Sequence, residues 1–214
     1  LVLIRHGQGE CNVSGRIGGP LGCTGLTELG RAQVEALAGR LARTGELAGV
    51  SALYSSTLKR AIETTAIVAA ALGRPAEAIV ADRDLCELHP GEADGLVWED
   101  YLERYDAPDW DRDPSDSLSP GGESWCGFVD RSARALERLA LENEGGLVVI
   151  GTHAGLIEAT VLRFLVGSPE GSAHPRLRLR TAHASITEWE RSAQGWHLRR
   201  YNDACSGLCV DDAP

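Results

Sequence analysis

Leu1-Val2-Leu3-Ile4-Arg5-His6-Gly7-Gln8 opens the chain. Four consecutive apolar residues, with no polar position between them, have the pattern of a strand buried on both faces. Such a strand belongs to a mainly parallel sheet covered by helices. Running straight into Arg-His-Gly, it delivers a guanidinium and an imidazole at its carboxyl end, where open α/β sheets bind their ligands.

Outward from this strand, apolar runs alternate with segments of helical period. Strands are predicted at 50–54, 79–80 and 147–150, with a closing pair at 185–189 and 196–201. After a loop containing Gly15, Gly18, Gly19, Gly22 and Gly25, Thr27 caps a helix that turns Leu29, Ala32, Ala36, Leu37 and Leu41 inward. A second helix is expected over 57–72, capped by Ser55 or Ser56, with Leu58, Ala61, Ile62 and Thr65 inward. A third starts at Ser124 and buries Phe128, Leu136 and Leu139, and a fourth spans 155–165. The expected fold is α/β, a three-layer sandwich with helices on both faces of a mainly parallel sheet. It forms one domain over 1–214, with 92–122 as an acidic, aromatic-rich lid or insertion.

The 214 residues carry 21 Lys and Arg against 31 Asp and Glu, a formal net charge of −10. Such a surface repels polyanions, which argues against nucleic acid and anionic membranes as partners. An anionic ligand must find a local cationic pocket. No apolar run approaches the length of a membrane span. Six cysteines, Cys11, Cys23, Cys86, Cys126, Cys205 and Cys209, lack the paired spacing of a zinc site. They read as reduced thiols of a cytoplasmic protein, although pairing of Cys11 with Cys23, or of Cys205 with Cys209, stays open. The chain starts without an initiator Met, which is consistent with a further N-terminal piece.

Three strand ends carry reactive side chains. The first delivers Arg5 and His6, the second leads to Arg60 in the first turn of its helix, and the fourth runs into Gly151-Thr152-His153-Ala154-Gly155. A phosphoryl group in flight spreads charge over three equatorial oxygens, which planar guanidinium forks match in pairs. Two Arg and two His can therefore do the work of a metal ion, and no metal or cofactor is called for. A neutral His is a competent nucleophile when its other ring nitrogen is held by a hydrogen bond. His6 takes that role, and His153 donates to a phosphoryl oxygen. Glu87, in Leu85-Cys86-Glu87-Leu88-His89-Pro90-Gly91, follows the third strand and can give a proton to the leaving oxygen and later take one from water. Taken singly, each of these is more simply a capping pair, a solvated charge or a satisfied histidine. Their joint placement at strand ends argues for a site.

The residues Leu3-Ile4-Arg5-His6-Gly7-Gln8 with Asn12 form one set of markers. Leu26-Thr27-Glu28-Leu29-Gly30 with Gln33, Ser55-Ser56 with Arg60, and Leu85 and Glu87 with Gly91 form others. With Gly122-Glu123-Ser124 and Thr152-His153-Ala154-Gly155, the chain resembles the histidine phosphatase superfamily, in its phosphoglycerate mutase-like branch, over nearly its whole length. The resemblance implies that His6 becomes phosphorylated, that Arg5, Arg60 and His153 hold phosphate, and that Glu87 is the proton donor. It adds Asn12 and Ala154 as phosphate contacts. The acid-phosphatase branch carries an extended R-H-G-x-R-x-P and a His-Asp pair, which Gln8-Gly9-Glu10-Cys11 and His153-Ala154 do not match. Two departures stand inside the favoured branch: Gly9 replaces a common Ser or Thr, and Ala154 a common Gly. A phosphate donor is thereby lost or supplied by backbone.

Three functions follow from the same pocket: hydrolysis of a small phosphomonoester, cofactor-dependent phosphoglycerate mutase activity, and phosphate binding without turnover. A mutase must hold a doubly phosphorylated intermediate and needs extra cations. Residues 92–118 offer Arg104 and Arg112 against ten carboxylates, so hydrolysis is preferred. Trp98, Tyr101, Tyr105, Trp110 and Trp125 fall in the same region. Either they pack as core or they help the lid select a weakly charged, partly apolar ester. A homodimer stays open.

Overall fold

The computed structural model describes residues 1–167 and 179–205. Strands β1 (Val2–Arg5), β2 (Val50–Ser56), β3 (Ile79–Asp82), β4 (Leu147–Thr152), β5 (Ile186–Ser192) and β6 (Gly195–Asp203) form one sheet. Its order is β3-β2-β4-β1-β5-β6. The first four run parallel, while β5 is antiparallel to β1 and β6 to β5. The helices are α1 (Glu10–Val13), α2 (Glu28–Thr44), α3 (Lys59–Ala71), α4 (Trp98–Arg104), α5 (Trp125–Glu142) and α6 (Ala154–Val161).

Side chains alternate across a strand, so β1 feeds both faces of the sheet. Leu3 joins Val148, Ile150 and Trp189 under Phe128, Leu136 and Leu139 of α5 and Leu156 and Ile157 of α6. Val2 and Ile4 join Leu53 and Val149 under Val34, Leu37 and Leu41 of α2 and Val68 of α3. Two apolar layers against one fully buried central strand make the expected three-layer sandwich. Residues 92–122 contribute a smaller cluster, in which Ala93, Tyr101 and Leu118 close over Ile17.

Most expected elements are present, with corrections. Ser55 and Ser56 belong to β2, and α3 starts after Leu58, whose side chain makes no cap; the Ser56 hydroxyl instead accepts from Leu58 N–H at 3.1 Å. Ile62 was expected inward but is 39 % exposed. On α2 the buried stripe is Gly30, Gln33, Val34, Leu37, Ala38 and Leu41, while Leu29, Ala32 and Ala36 are half-buried. The helix turned toward the sheet about one position further than the apolar pattern suggested, because Gln33 is drawn in to accept from Gln8 N–H at 2.9 Å. The helix expected over 155–165 is α6 followed by a π-helical turn, Leu162–Val166. The short helices α1 and α4 were not foreseen. Cys11 and Cys23 are unbridged thiols; the alternative pair Cys205 and Cys209 lies in part outside the described residues. Among the described residues, no helix is long and apolar enough to cross a membrane.

Two marker glycines have a packing cause. A side chain on Gly7 would overlap the carbonyl of Gly30, and one on Gly30 would overlap the backbone of Gln8. The loop after β1 therefore lies directly on the first turn of α2, which Thr27 caps through a 2.9 Å bond from Gly30 N–H. Gly30→Ala should lower the unfolding free energy by roughly 2–3 kcal/mol, as overpacking against rigid backbone does, read as a lower urea midpoint with unchanged slope.

Candidate active site

β1 and β4 are adjacent and parallel, with Arg5 opposite Thr152. The next residues on each, His6 and His153, therefore leave the sheet side by side, with ring centroids 5.1 Å apart. β2 flanks β4 on its other side, with Ser55 opposite Gly151. It brings Ser56 against His153 (Oγ to Nε2, 2.8 Å) and starts the chain toward α3, from which Arg60 reaches back. Arg5, His6, Arg60 and His153 are all buried.

His6 has a defined tautomer. Its Nδ1 lies 2.6 Å from the Gly7 carbonyl, which can only accept, so Nδ1 carries the proton. Nε2 keeps its lone pair and accepts from Arg60 Nε at 3.0 Å, while Arg60 Nη1 donates to the Gly18 carbonyl at 2.7 Å. Burial, then the positive charge of Arg60 and the neighbouring His153 and Arg5, hold the His6 pKa well below the ordinary histidine value. Burial followed by Arg60 and Arg5 does the same for His153. His153 Nδ1 is buried without a hydrogen-bond partner among the described residues. Arg5 is anchored by donation to the Thr181 carbonyl and to His183 Nε2, the latter at 3.0 Å.

Glu87 stands at the rim, half-buried. Its Oε2 accepts from Gly155 N–H at 3.0 Å and its Oε1 from Leu88 N–H at 3.2 Å. A side chain on Gly155 would overlap that carboxylate, which accounts for the glycine there. Asn12 is exposed and its Oδ1 accepts from Gly9 N–H at 2.9 Å. Ala154 is the first residue of α6, directly after His153. Among the described residues, no group of three or more His, Cys, Asp or Glu side chains is placed to hold a metal ion.

Residues 1–204 match the family described as "Histidine phosphatase superfamily (branch 1)". The chain belongs to that superfamily. It is 33 % identical over 208 residues to a metal-independent phosphoserine phosphatase of Arabidopsis thaliana, covering 95 % of this chain and 81 % of the relative. It is 36 % identical over 163 residues to phosphoglycerate mutase-like protein 4 of the same plant, covering 74 % and 68 %. Among solved structures, the mycobacterial glucosyl-3-phosphoglycerate phosphatase in complex with VO3 superposes with a TM-score of 0.76 at 27 % identity, covering 95 % of this chain and 99 % of that one. The protein is a metal-independent histidine phosphatase, an enzyme that hydrolyses phosphomonoesters.

Several residues of this histidine phosphatase site were not read from the sequence. His183, 5.7 Å from His6 between ring centroids, comes from the approach to β5. Its neighbour Ala184 adopts a left-handed φ of 52° that no local pattern announces. Arg131 of α5 grips the carboxylate of Glu123 with two bonds of 2.7 and 2.8 Å. The same guanidinium donates to the carbonyls of Asp84, Cys86 and Glu87, so it clamps the turn that carries Glu87. Glu123 was visible as a marker, but Arg131 reads as an ordinary helix charge. Burial raises the Cys86 thiol, and hydrogen bonds from His89, Ser56 and Thr57 outweigh it to bring its pKa to about 7. At Gly9, an added side chain would press on Arg60 Cδ at 3.0 Å and Asn12 Oδ1 at 3.2 Å. The smaller residue leaves Arg60 its path to His6.

The depressed histidines have a sign. Their folded pKa lies below the unfolded value near 6.5, so below that pH the unfolded chain takes up protons that the folded one refuses. Stability is full above about pH 6.5 and falls as the pH drops toward the folded pKa. The urea midpoint should decrease between pH 7.5 and 5.5, and the decrease should be smaller in His6→Asn.

Proposed function

We propose that His6 is the nucleophile of a two-step hydrolysis, with Arg5, Arg60 and His153 holding the phosphoryl oxygens and Glu87 moving the proton. The observation that carries this reading is the His6 tautomer: Nδ1–H is tied to the Gly7 carbonyl and Nε2 presents a lone pair beside the Arg60 guanidinium. Nε2 attacks phosphorus, the bond from phosphorus to the leaving oxygen breaks, and that oxygen takes the proton of the Glu87 carboxyl. Glu87, now a carboxylate, accepts a proton from water as the water oxygen attacks phosphorus. The P–N bond breaks, its electron pair returns to Nε2, and inorganic phosphate leaves. His153 Nε2 lies 2.8 Å from Ser56 Oγ, and its Nδ1 has no hydrogen-bond partner among the described residues. A proton carried on Nδ1 donates to a phosphoryl oxygen as charge develops. The Ala154 backbone and Asn12 serve as further phosphate contacts, Asn12 with its amide oxygen held by Gly9.

Residues 1–214 act as one domain, and 92–122 as the insertion that shapes access to Glu87. Of its two cations, Arg104 lies over the Tyr105 ring at 5.3 Å, which leaves little to bind a second phosphoryl group. That observation favours hydrolysis over mutase activity. A small phosphomonoester, not a polyanion, is the partner that a chain of net charge −10 admits, and the reading places the protein in the cytoplasm.

His6→Ala should abolish the acid-labile phosphoenzyme seen after rapid quench with radiolabelled substrate. p-Nitrophenyl phosphate hydrolysis should be indifferent to a chelator, and 3-phosphoglycerate with a bisphosphate primer should yield free phosphate without isomerisation. Glu87→Gln should slow alkyl phosphates by about 10²–10⁴-fold and p-nitrophenyl phosphate far less, since a good leaving group needs no acid. Equal slowing of both would remove Glu87 from the role.

A further inference from the structure

Two cavities meet at Glu87. One, of about 200 Å³, is lined by Gly19, Thr57, Cys86, His89 and Arg83 and is mixed in polarity. The other, of about 360 Å³, lies against 92–122 and α5 and is walled by Leu88, Trp98, Tyr101, Trp110, Leu118 and Phe128. The polar tips of two of these rings are engaged elsewhere: Tyr101 Oη donates to the Leu118 carbonyl at 2.9 Å and Trp110 Nε1 to the Asp116 carbonyl at 2.8 Å. Their hydrocarbon faces therefore meet the cavity. Trp98 stands edge-on to Tyr101, with centroids 5.3 Å apart, and remains 46 % exposed. The same segment carries the exposed carboxylates Glu99, Glu103, Asp106 and Asp109.

We propose that this aromatic cavity is the leaving-group subsite, and that it takes an uncharged aryl or branched hydrocarbon group. The inference rests on Glu87 being the acid of the reaction. An oxygen that takes its proton must sit within hydrogen-bond reach of that carboxylate, so a cavity walled by Glu87 is open to the carbon skeleton attached to the oxygen. The aromatic one falls within the size range of small-molecule sites, about 300–1,000 Å³, and has the apolar lining typical of them. Among the described residues its lining includes no cation for a second anionic group. Burying aryl and methylene surface there is favourable, whereas a carboxylate would be desolvated without a partner and repelled by the chain's net negative charge. A carboxylated skeleton would instead turn to the smaller cavity and Arg83.

Non-hydrolysable phosphonates read this subsite without turnover. Calorimetry on the full chain with phenylphosphonate, 4-butylphenylphosphonate and 4-carboxyphenylphosphonate should place the butyl compound at least tenfold tighter than phenyl, and the carboxylate weaker than phenyl. In Trp98→Ala the butyl-to-phenyl ratio should fall below threefold, and Trp98→Phe should recover most of it. Affinities of butyl and phenyl within a factor of two, tighter binding of the carboxylate, or a ratio unmoved in Trp98→Ala would overturn the proposal. Hydrolysis of phenyl phosphate is followed separately. Absent turnover would sink the catalytic reading while the binding ratios still judge the subsite, and turnover without apolar preference would sink the subsite alone.

Discussion

Parallel pairing of β1 with β4 is the constraint on which the site depends. Because the two strands are adjacent, run the same way and end in register at Arg5 and Thr152, residues separated by nearly 150 positions in sequence emerge as neighbours. Parallel strands need long crossovers, and here the crossovers are used: α3 carries Arg60 back, and the turn after β3 carries Glu87. Moving β1 by one residue against β4 would exchange the faces of Leu3 and Ile4 and withdraw His6 from His153. The two apolar layers that lock this register thereby also set the geometry of the chemistry.

Burying two guanidiniums and two imidazoles together is costly unless the charge is limited. The protein limits it by keeping both histidines neutral, through burial and through the arginines beside them. In the proposed mechanism the same choice makes His6 a nucleophile and leaves the cationic charge on Arg5 and Arg60, where an incoming dianion neutralises it. The acceptors of the two arginines include the Thr181 and Gly18 carbonyls and the nitrogens of His183 and His6. The carboxylate of Glu87 is held at the rim by backbone N–H groups. Arg131 and Glu123 satisfy each other while fixing the turn that carries Glu87.

In the segment over 92–122 some aromatic rings pack as core and others line a cavity. Tyr101 is fully buried and nucleates the small cluster with Ala93, Leu118 and Ile17. Trp110 packs tilted against Trp125 at 5.6 Å, and Trp98 stays at the surface. One rigid ring at the centre thus positions others that face a cavity. The carboxylates Glu99, Glu103, Asp106 and Asp109 of the same segment are exposed to solvent.

The apolar run before Arg5-His6 and the similar run before His153 were legible from residue order alone, as were Thr27 and Ser124 as caps. Local pattern is enough for these, because a strand buried on both faces and a capped helix each leave a signature within a few residues. The failures are also particular. Ser55 and Ser56 look like caps but extend β2, since pairing with both neighbours outweighs cap preference. Gln33 and Arg131 look solvated, yet both are drawn inward by hydrogen bonds to other segments, Gln33 to the loop after β1 and Arg131 to Glu123 and the turn after β3. His183 joins the site only because β5 returns antiparallel beside β1. What the sequence by itself determined is the kind of sheet and the residue types that stand at its carboxyl edge. Only the tertiary structure decided which tautomer His6 holds, what clamps Glu87 and which aromatic rings line a cavity, because these depend on contacts between segments that no window of sequence contains.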